Sequence, residues 1–103
     1  MYARVSRYRA RADAENVAER VRARVEQEFY PRHLVNAEGF RGYFVVDLGD
    51  EDGGHELVSF SLWDHPAAAD QNIAQAERFV GEQLADLVEA TLQSATGEVF
   101  FAR

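Results

Sequence analysis

The stretch FRGYFVVDL at residues 40–48, followed by GDEDGG at 49–54 and HELVSFSLW at 55–63, decides the fold. Both outer segments are rich in β-branched and aromatic residues, which favour strands. The segment between them is rich in Gly and Asp, as is typical of a hairpin turn longer than two residues. The sequence therefore predicts two antiparallel strands, Phe40–Leu48 and His55–Trp63, joined by a loop.

The N-terminal third predicts a strand followed by a helix. Tyr2–Ala10 alternates aromatic, β-branched and basic residues without a breaker and favours a strand. An apolar residue then recurs at every fourth position, at Val17, Val21, Val25 and Phe29. This spacing predicts an amphipathic helix. Asp13 is its predicted N-cap, and Pro31 is expected to end or kink it, leaving residues 33–37 as a short return.

The C-terminal third predicts a second helix and a last strand. Asp64 is the predicted cap, and Pro66 suits a first helical turn. Apolar residues follow at spacings of three and four, at Ile73, Ala76, Val80, Leu84, Leu87, Val88 and Leu92. Gly97 is expected to end this helix, and residues 98–103 to form the fourth strand. The order is βαββαβ, which predicts a single α+β domain over residues 1–103. This is a ferredoxin-like four-stranded antiparallel sheet with two helices on one face.

The strands are apolar on both faces, whereas a sheet with one face in water normally alternates apolar and polar residues. Alternation places Phe40, Phe44, Val46 and Leu48 on one face and Tyr43 and Val45 on the other. The next strand divides into Leu57 and Trp63 against Val58, Phe60 and Leu62. Monomers rarely expose so large an apolar surface. The sequence therefore predicts a homodimer in which the open faces of two sheets pack together.

Composition excludes several classes of chemistry. The chain has no Cys, and all eleven of its basic residues are Arg, so thiolate, Cys-ligated metal and lysine Schiff-base sites are absent. The net charge of −7 disfavours nucleic acid as a partner. No apolar run has the length of a signal peptide or membrane span, so we expect a cytoplasmic protein without a membrane partner.

Three segments resemble a known family. GFRGYFVV at residues 39–46, SFSLWD at 59–64 and the pair Phe79-Val80 resemble the antibiotic biosynthesis monooxygenase domain of the dimeric α/β barrel superfamily. The resemblance implies a homodimer with a pocket between sheet and helices in each subunit. Activities in this family include cofactor-independent oxygenation of phenolic or quinol-like polyketides, oxidative haem breakdown and modification of quorum signals.

The haem-degrading branch of that family is tested by three positions. It carries an Asn in the first strand and a Trp and a His in the last helix, where this chain has Ser6 or Arg7, Asn72 and Glu82. Because the His that would bind iron is missing, we expect no haem, and the absence of cofactor motifs from the sequence predicts no other cofactor. Trp63 matches a strand-end Trp of the family and is interpreted as mainly structural.

No metal or phosphate motif occurs, and the acidic cluster around residues 47–52 lacks the spacing of a calcium loop. His55 and His65 stand at opposite ends of one strand, roughly 30 Å apart, too far to share a metal. The predicted substrate pocket is lined by Arg4, Ser6, Tyr43 and Trp63, and the candidates for chemistry are Tyr8, His65, Asn72 and Arg78.

Two functions remain open. One is a cofactor-independent monooxygenase acting on a small aromatic or polyketide-like substrate, with an Arg stabilising a phenolate. The other is a noncatalytic homodimer that binds a small ligand or serves in assembly. In that case the aromatic residues are ordinary core and His65 is a solvated loop residue.

Overall fold

The predicted hairpin belongs to a four-stranded antiparallel sheet in the computed structural model, which describes residues 1–51 and 54–103. The strands are β1 (Tyr2–Ala10), β2 (Phe40–Glu51), β3 (Gly54–Trp63) and β4 (Val88–Glu98), in the spatial order β2-β3-β1-β4. Helices α1 (Val17–Arg24) and α2 (Pro66–Gln83) cover one face of this sheet. The predicted ferredoxin-like α+β fold is therefore confirmed.

The end of the second helix and the place of β4 were wrong in the sequence prediction. Helix α2 stops at Gln83, and β4 occupies Val88–Glu98 rather than residues 98–103. Leu84 and Leu87 continue the apolar stripe, but they are buried in the turn between the two elements. The polar run that follows is held as a strand by pairing along β1, from Ala10 opposite Val88 to Tyr2 opposite Glu98.

The residues after β4 leave the sheet. The Val99 amide donates to the Met1 carbonyl, and the chain then continues without strand pairing. Phe100 and Phe101 are 94% and 72% exposed. The predicted last strand is therefore a short tail that carries two exposed aromatic side chains.

The first helix also differs from its prediction at both ends. Asn16, in the left-handed region at φ 51°, precedes α1, and Asp13 is not the cap. Beyond Arg24 the chain continues as a π-helical segment, Val25–Leu34, with Pro31 inside it. In an α-helix the Pro ring would clash with the carbonyl four residues earlier, and the wider π turn relieves that contact. Of the two predicted outcomes at Pro31, an end or a kink, the structure therefore rules out an end, because the helical segment continues to Leu34.

The N-cap of helix α2 lies one residue after the predicted cap, Asp64. It is His65, whose Nδ1 accepts from the Ala68 amide at 3.3 Å, with Pro66 in the first turn. Asp64 instead accepts from the guanidinium of Arg41 at 3.2 Å. The His65 side chain therefore satisfies an amide at the helix start, where the sequence suggested a solvated loop residue or a base.

The hairpin is longer than predicted. Pairing of β2 with β3 continues to Glu51 opposite Gly54, and the remaining loop residues, 52 and 53, lie outside the described residues. A register shift between Phe40 and Gly42 reverses the side on which Phe40 lies. Its ring packs edge-on against Trp63 at 5.5 Å, on the covered face and not beside Phe44.

The core lies between the sheet and the helices, whereas the opposite face is open. Trp63, Leu34 and Leu87 are the largest fully buried side chains. On the open face, the rings of Phe44 and Phe60 stack at 4.7 Å, and Phe44 remains 48% exposed. No helix in the described part of the chain is long and apolar enough to span a membrane.

Candidate functional site

A cavity lies between the covered face of the sheet, α1, the π-helical segment and α2. Its interior volume is about 40 Å³, and it adjoins a groove of about 320 Å³ between α1 and β2. Cavity and groove share the walls Val21, Val25, Tyr43, Val45 and Leu57. A second cleft, of about 170 Å³, meets the cavity between α2 and β4. The cavity is therefore narrow inside, with the groove and the cleft lying against its walls on two sides.

Three polar side chains cross the floor of the cavity in one row. Tyr43 on β2 lies opposite Ser61 on β3, and Ser61 lies opposite Arg4 on β1. Side chains directly opposite each other in an antiparallel sheet have Cβ atoms roughly 4.5–5.5 Å apart. All three side chains can donate hydrogen bonds and all three line the cavity, so we name Tyr43, Ser61 and Arg4 the donor row.

Arg4 carries the positive charge of this row. Arg7 and Arg9 share Glu56, and Arg20 and Arg24 share Asp86. Among the described residues, no carboxylate forms an ion pair with Arg4. A cation without a protein counter-ion in a largely apolar cavity favours an anionic or strongly polar ligand group.

Tyr43 is a phenol of the cavity wall with a shifted pKa. Burial, and to a lesser extent the neighbouring Tyr8, raises the pKa of Tyr43 well above its ordinary value. Its ring packs against Phe29 at 6.0 Å, and its hydroxyl has no hydrogen-bond partner in the described part of the chain. Tyr43 therefore stays protonated and can donate into the cavity.

Ser6, Tyr8 and Asn72, all predicted as site residues, also line the cavity. The hydroxyl of Ser6 is 3.0 Å from that of Ser94 on β4. Asn72 is buried, and its Nδ2 donates to the His33 carbonyl at 3.2 Å. Asn72 thereby ties α2 to the end of the π-helical segment while it contributes a polar group to the cavity wall.

Trp63, Arg78 and His65, the other predicted site residues, do not line this cavity. Trp63 is 1% exposed and packed in the core, outside the cavity walls, because it sits at the end of β3 beneath the start of α2. Arg78 is exposed on α2 and is not a wall of the cavity. His65 is held at the helix cap.

Sequence reasoning missed Ser59 and Ser61, which line the cavity beside the predicted residues. Both lie on the same face of β3 as Leu57 and Trp63, as the alternation shows. One signal for them was available in the sequence. The two hydroxyls lie on a strand face that the helices were expected to cover. They indicate polar groups placed under the helices, where a cavity would be needed to accommodate them.

The mouth of the groove is charged. Arg22 and Glu26 pair at 3.0 Å on its helical side, and Asp47 lies on its β2 side. A hydrogen bond from the Gly49 amide, followed by one from His55 at 2.6 Å, lowers the pKa of Asp47. The entrance therefore carries two carboxylates, in contrast to the donors inside.

Solved structures share this fold over almost the entire chain. A protein named as an antibiotic biosynthesis monooxygenase from Chloroflexus aurantiacus is 13% identical, with a TM-score of 0.62, over 99% of this chain and 95% of that one. SnoaB, a cofactor-independent oxygenase from Streptomyces nogalater, is 20% identical, with a TM-score of 0.61, over 98% and 94%.

A third structure is a variant of MhuD with two manganese protoporphyrin IX molecules bound per active site. It is 12% identical, with a TM-score of 0.68, over 100% of this chain and 98% of that one. No protein-family model and no curated protein matches this sequence. At such identities the likeness shows the fold alone, and at that level the resemblance to the antibiotic biosynthesis monooxygenase domain is confirmed.

Proposed function

We propose that this protein is a cofactor-independent monooxygenase that binds a small aromatic or polyketide-like substrate on the donor row. The observation that carries this proposal is Arg4, without an ion pair in the described part of the chain, beside Ser61 and Tyr43 on the floor of an apolar-walled cavity. The fold shared with SnoaB supports the same class of reaction. The substrate would place its oxygen on the donor row and its ring towards the groove.

The reaction that suits these groups begins with transfer of a proton to solvent water at the groove, from a substrate carbon next to a phenol or carbonyl. The negative charge then moves to the substrate oxygen, where Arg4 and the two hydroxyls stabilise it. Molecular oxygen is the oxidant. The CH₂ group becomes C=O, one oxygen atom stays in the product and the other leaves as water, so the balance is R₂CH₂ + O₂ → R₂C=O + H₂O. The apolar walls exclude water from the carbanion.

The functional unit in this proposal is a homodimer that packs the open faces of two sheets together. The exposed side chains Phe44, Val46 and Leu48 support it, because they form a continuous apolar edge that water would otherwise contact. The resulting assembly would leave both cavities on its outer sides, beneath the helices. The cytoplasmic location stays a prediction.

A noncatalytic homodimer that binds a small ligand, or serves in assembly, is the second candidate. The observation that favours it is the interior volume of about 40 Å³, room for only one or two water molecules. Catalysis on a ring-sized substrate requires the volume of the groove. Val21, Val25 and Val45, which lie between the groove and the interior of the cavity, must then shift. Binding at the groove alone requires no such shift.

Oxygen uptake with a panel of anthrone- and quinol-like compounds tests the proposal. We expect uptake with at least one compound and its loss in Arg4→Met, because the long apolar side chain keeps the packing and removes the charge. Arg78→Met, which removes an exposed Arg outside the cavity, is the matched control. Tight binding without oxygen uptake would establish the second candidate instead.

A further inference from the structure

The buried indole of Trp63 has a single hydrogen-bond partner. Its Nε1–H donates to the hydroxyl oxygen of Ser61 at 2.8 Å. An indole N–H can only donate, and a buried one requires an acceptor. Because Trp63 and Ser61 are two residues apart on one strand, they lie on the same face and the bond is short-range.

This bond limits what the Ser61 hydroxyl can do. A serine oxygen has two lone pairs and one proton, and Trp63 occupies one lone pair. The cross-strand neighbour Arg4 has no lone pair to offer, so it cannot accept the proton of Ser61. Across residues 1–51 and 54–103, no protein acceptor is hydrogen-bonded to that proton. The proton is therefore left for the cavity, which Ser61 lines.

We propose that Trp63 is a positioning residue that fixes Ser61 as a hydrogen-bond donor, so that the cavity selects ligands through an acceptor oxygen. The oxygen of a carbonyl, enolate or phenolate would sit between Arg4 and Ser61, with Tyr43 as a third donor. An amine or amide N–H at the same place would meet only donors. This inference rests on the proposed function of the cavity, and it extends the role of Trp63 beyond packing.

Titration of bound 4-nitrophenol, followed by absorbance, tests whether the Ser61 hydroxyl donates its proton into the cavity. In the wild-type protein we expect the pKa of the bound phenol to be lower than in water, because the donors favour the phenolate. Ser61→Ala and Trp63→Phe should each raise that bound pKa by about one unit, since each weakens a hydrogen bond to a charged oxygen. 4-Nitroaniline, which presents an N–H₂ group, should bind more weakly than 4-nitrophenol.

Two controls separate orientation from packing. Phe40→Leu loosens the edge-on contact with the Trp63 ring but keeps the indole N–H, so the bound pKa should not move. Ser61→Thr keeps the hydroxyl and should restore most of the shift. Trp63 is the single Trp of the chain, so its indole proton resonance reports the bond directly; in Ser61→Ala it should move and exchange faster.

Each outcome bears on the proposal. Nitrophenol bound with an unshifted pKa, a Trp63→Phe variant identical to wild type, or a Phe40→Leu variant that matches Trp63→Phe would overturn the positioning role. The first of these results would leave the cavity as a binding site. If the wild-type protein binds no nitrophenol, both the ligand site and the inference built on it are contradicted.

Discussion

The two faces of one sheet differ in kind, although the same strands supply both. The covered face combines a packed core with a row of polar donors, and its charge at Arg4 has no carboxylate partner among residues 1–51 and 54–103. The open face is apolar at its β2 edge, and its charges at Arg7 and Arg9 are paired with Glu56. In the proposed function, Arg4 on the covered face binds a ligand, and the exposed apolar surface on the open face packs against a second copy of the chain.

Trp63 and its neighbour Leu62 test this contrast most strongly, because consecutive residues on β3 point to opposite faces. Trp63→Ala should lower the free energy of unfolding by about 3–5 kcal/mol, since it removes the largest fully buried side chain. Leu62→Ala should cost about 1 kcal/mol or less in a monomer. Urea denaturation at two protein concentrations measures both. Equal losses would contradict the assignment of the two faces.

A charge placed on the open face sharpens the contrast next. Phe44→Asp should raise the dissociation constant of the proposed dimer at least about 100-fold, in the range of an interface hot spot. Sedimentation at several concentrations measures this constant. Ala74→Asp adds the same charge on exposed α2 and should leave association unchanged. A wild-type protein that is monomeric at micromolar concentration would refute the dimer.

Removal of one hydroxyl from the covered face should lower the affinity for a ligand and leave the stability of the protein almost unchanged. Tyr43→Phe should change the free energy of unfolding by less than about 1 kcal/mol, because none of the described residues is hydrogen-bonded to the hydroxyl. Affinity for 4-nitrophenolate should nevertheless fall about fivefold or more. Thermal unfolding and absorbance titration measure the two effects. A large loss of stability would show that the hydroxyl is bonded within the protein.

The smallest expected effect is the loss of stability in acid that comes from the ion pairs between α1 and the turn after α2. The hydrogen bond from Arg24 lowers the pKa of Asp86 to about 2, below its ordinary 3.8. A lowered pKa contributes stability that is present above about pH 4 and is lost as the pH falls towards 2. The melting temperatures of wild type and Asp86→Asn should therefore differ at pH 6 and converge by pH 2.

A matched variant checks that this acid effect is local. Asp70→Asn removes a carboxylate that is exposed on α2, and its difference from wild type should stay small across the same range. Glu56 on the open face, whose pKa is lowered chiefly by its hydrogen bond to Arg7, should behave like Asp86. A constant difference for Asp86→Asn down to pH 2 would contradict the ion-pair assignment.

The strands of the hairpin and β1 could be predicted because their composition and alternation are local properties. β4 could not, because residues 89–96 are mostly polar or small and Leu84, Leu87 and Val88 keep a helical spacing across the turn. Only pairing with β1, a contact far away in sequence, makes this segment a strand. At this edge of the sheet, strand pairing and not the local residue pattern decides the secondary structure.

Part of the candidate site could be predicted for the same reason. Arg4, Ser6, Tyr8 and Tyr43 follow from alternation on strands that were correctly placed. Trp63 was predicted to line the pocket because it is aromatic and lies on a strand that was correctly placed. How deeply its side chain is buried depends on how α2 covers the end of β3. The bond from Trp63 to Ser61 depends on side-chain geometry that no residue pattern encodes.

Ten residues from Val25 to Leu34 wind in π-helical turns, which take more residues per turn than an α-helix. Such a segment accommodates an inserted residue by widening, so that the side chains on either side keep their direction. Phe29 and Leu34 can then both reach the core although they are five residues apart. Wound as an ordinary α-helix of 3.6 residues per turn, the same segment would turn Leu34 about 140° away from Phe29.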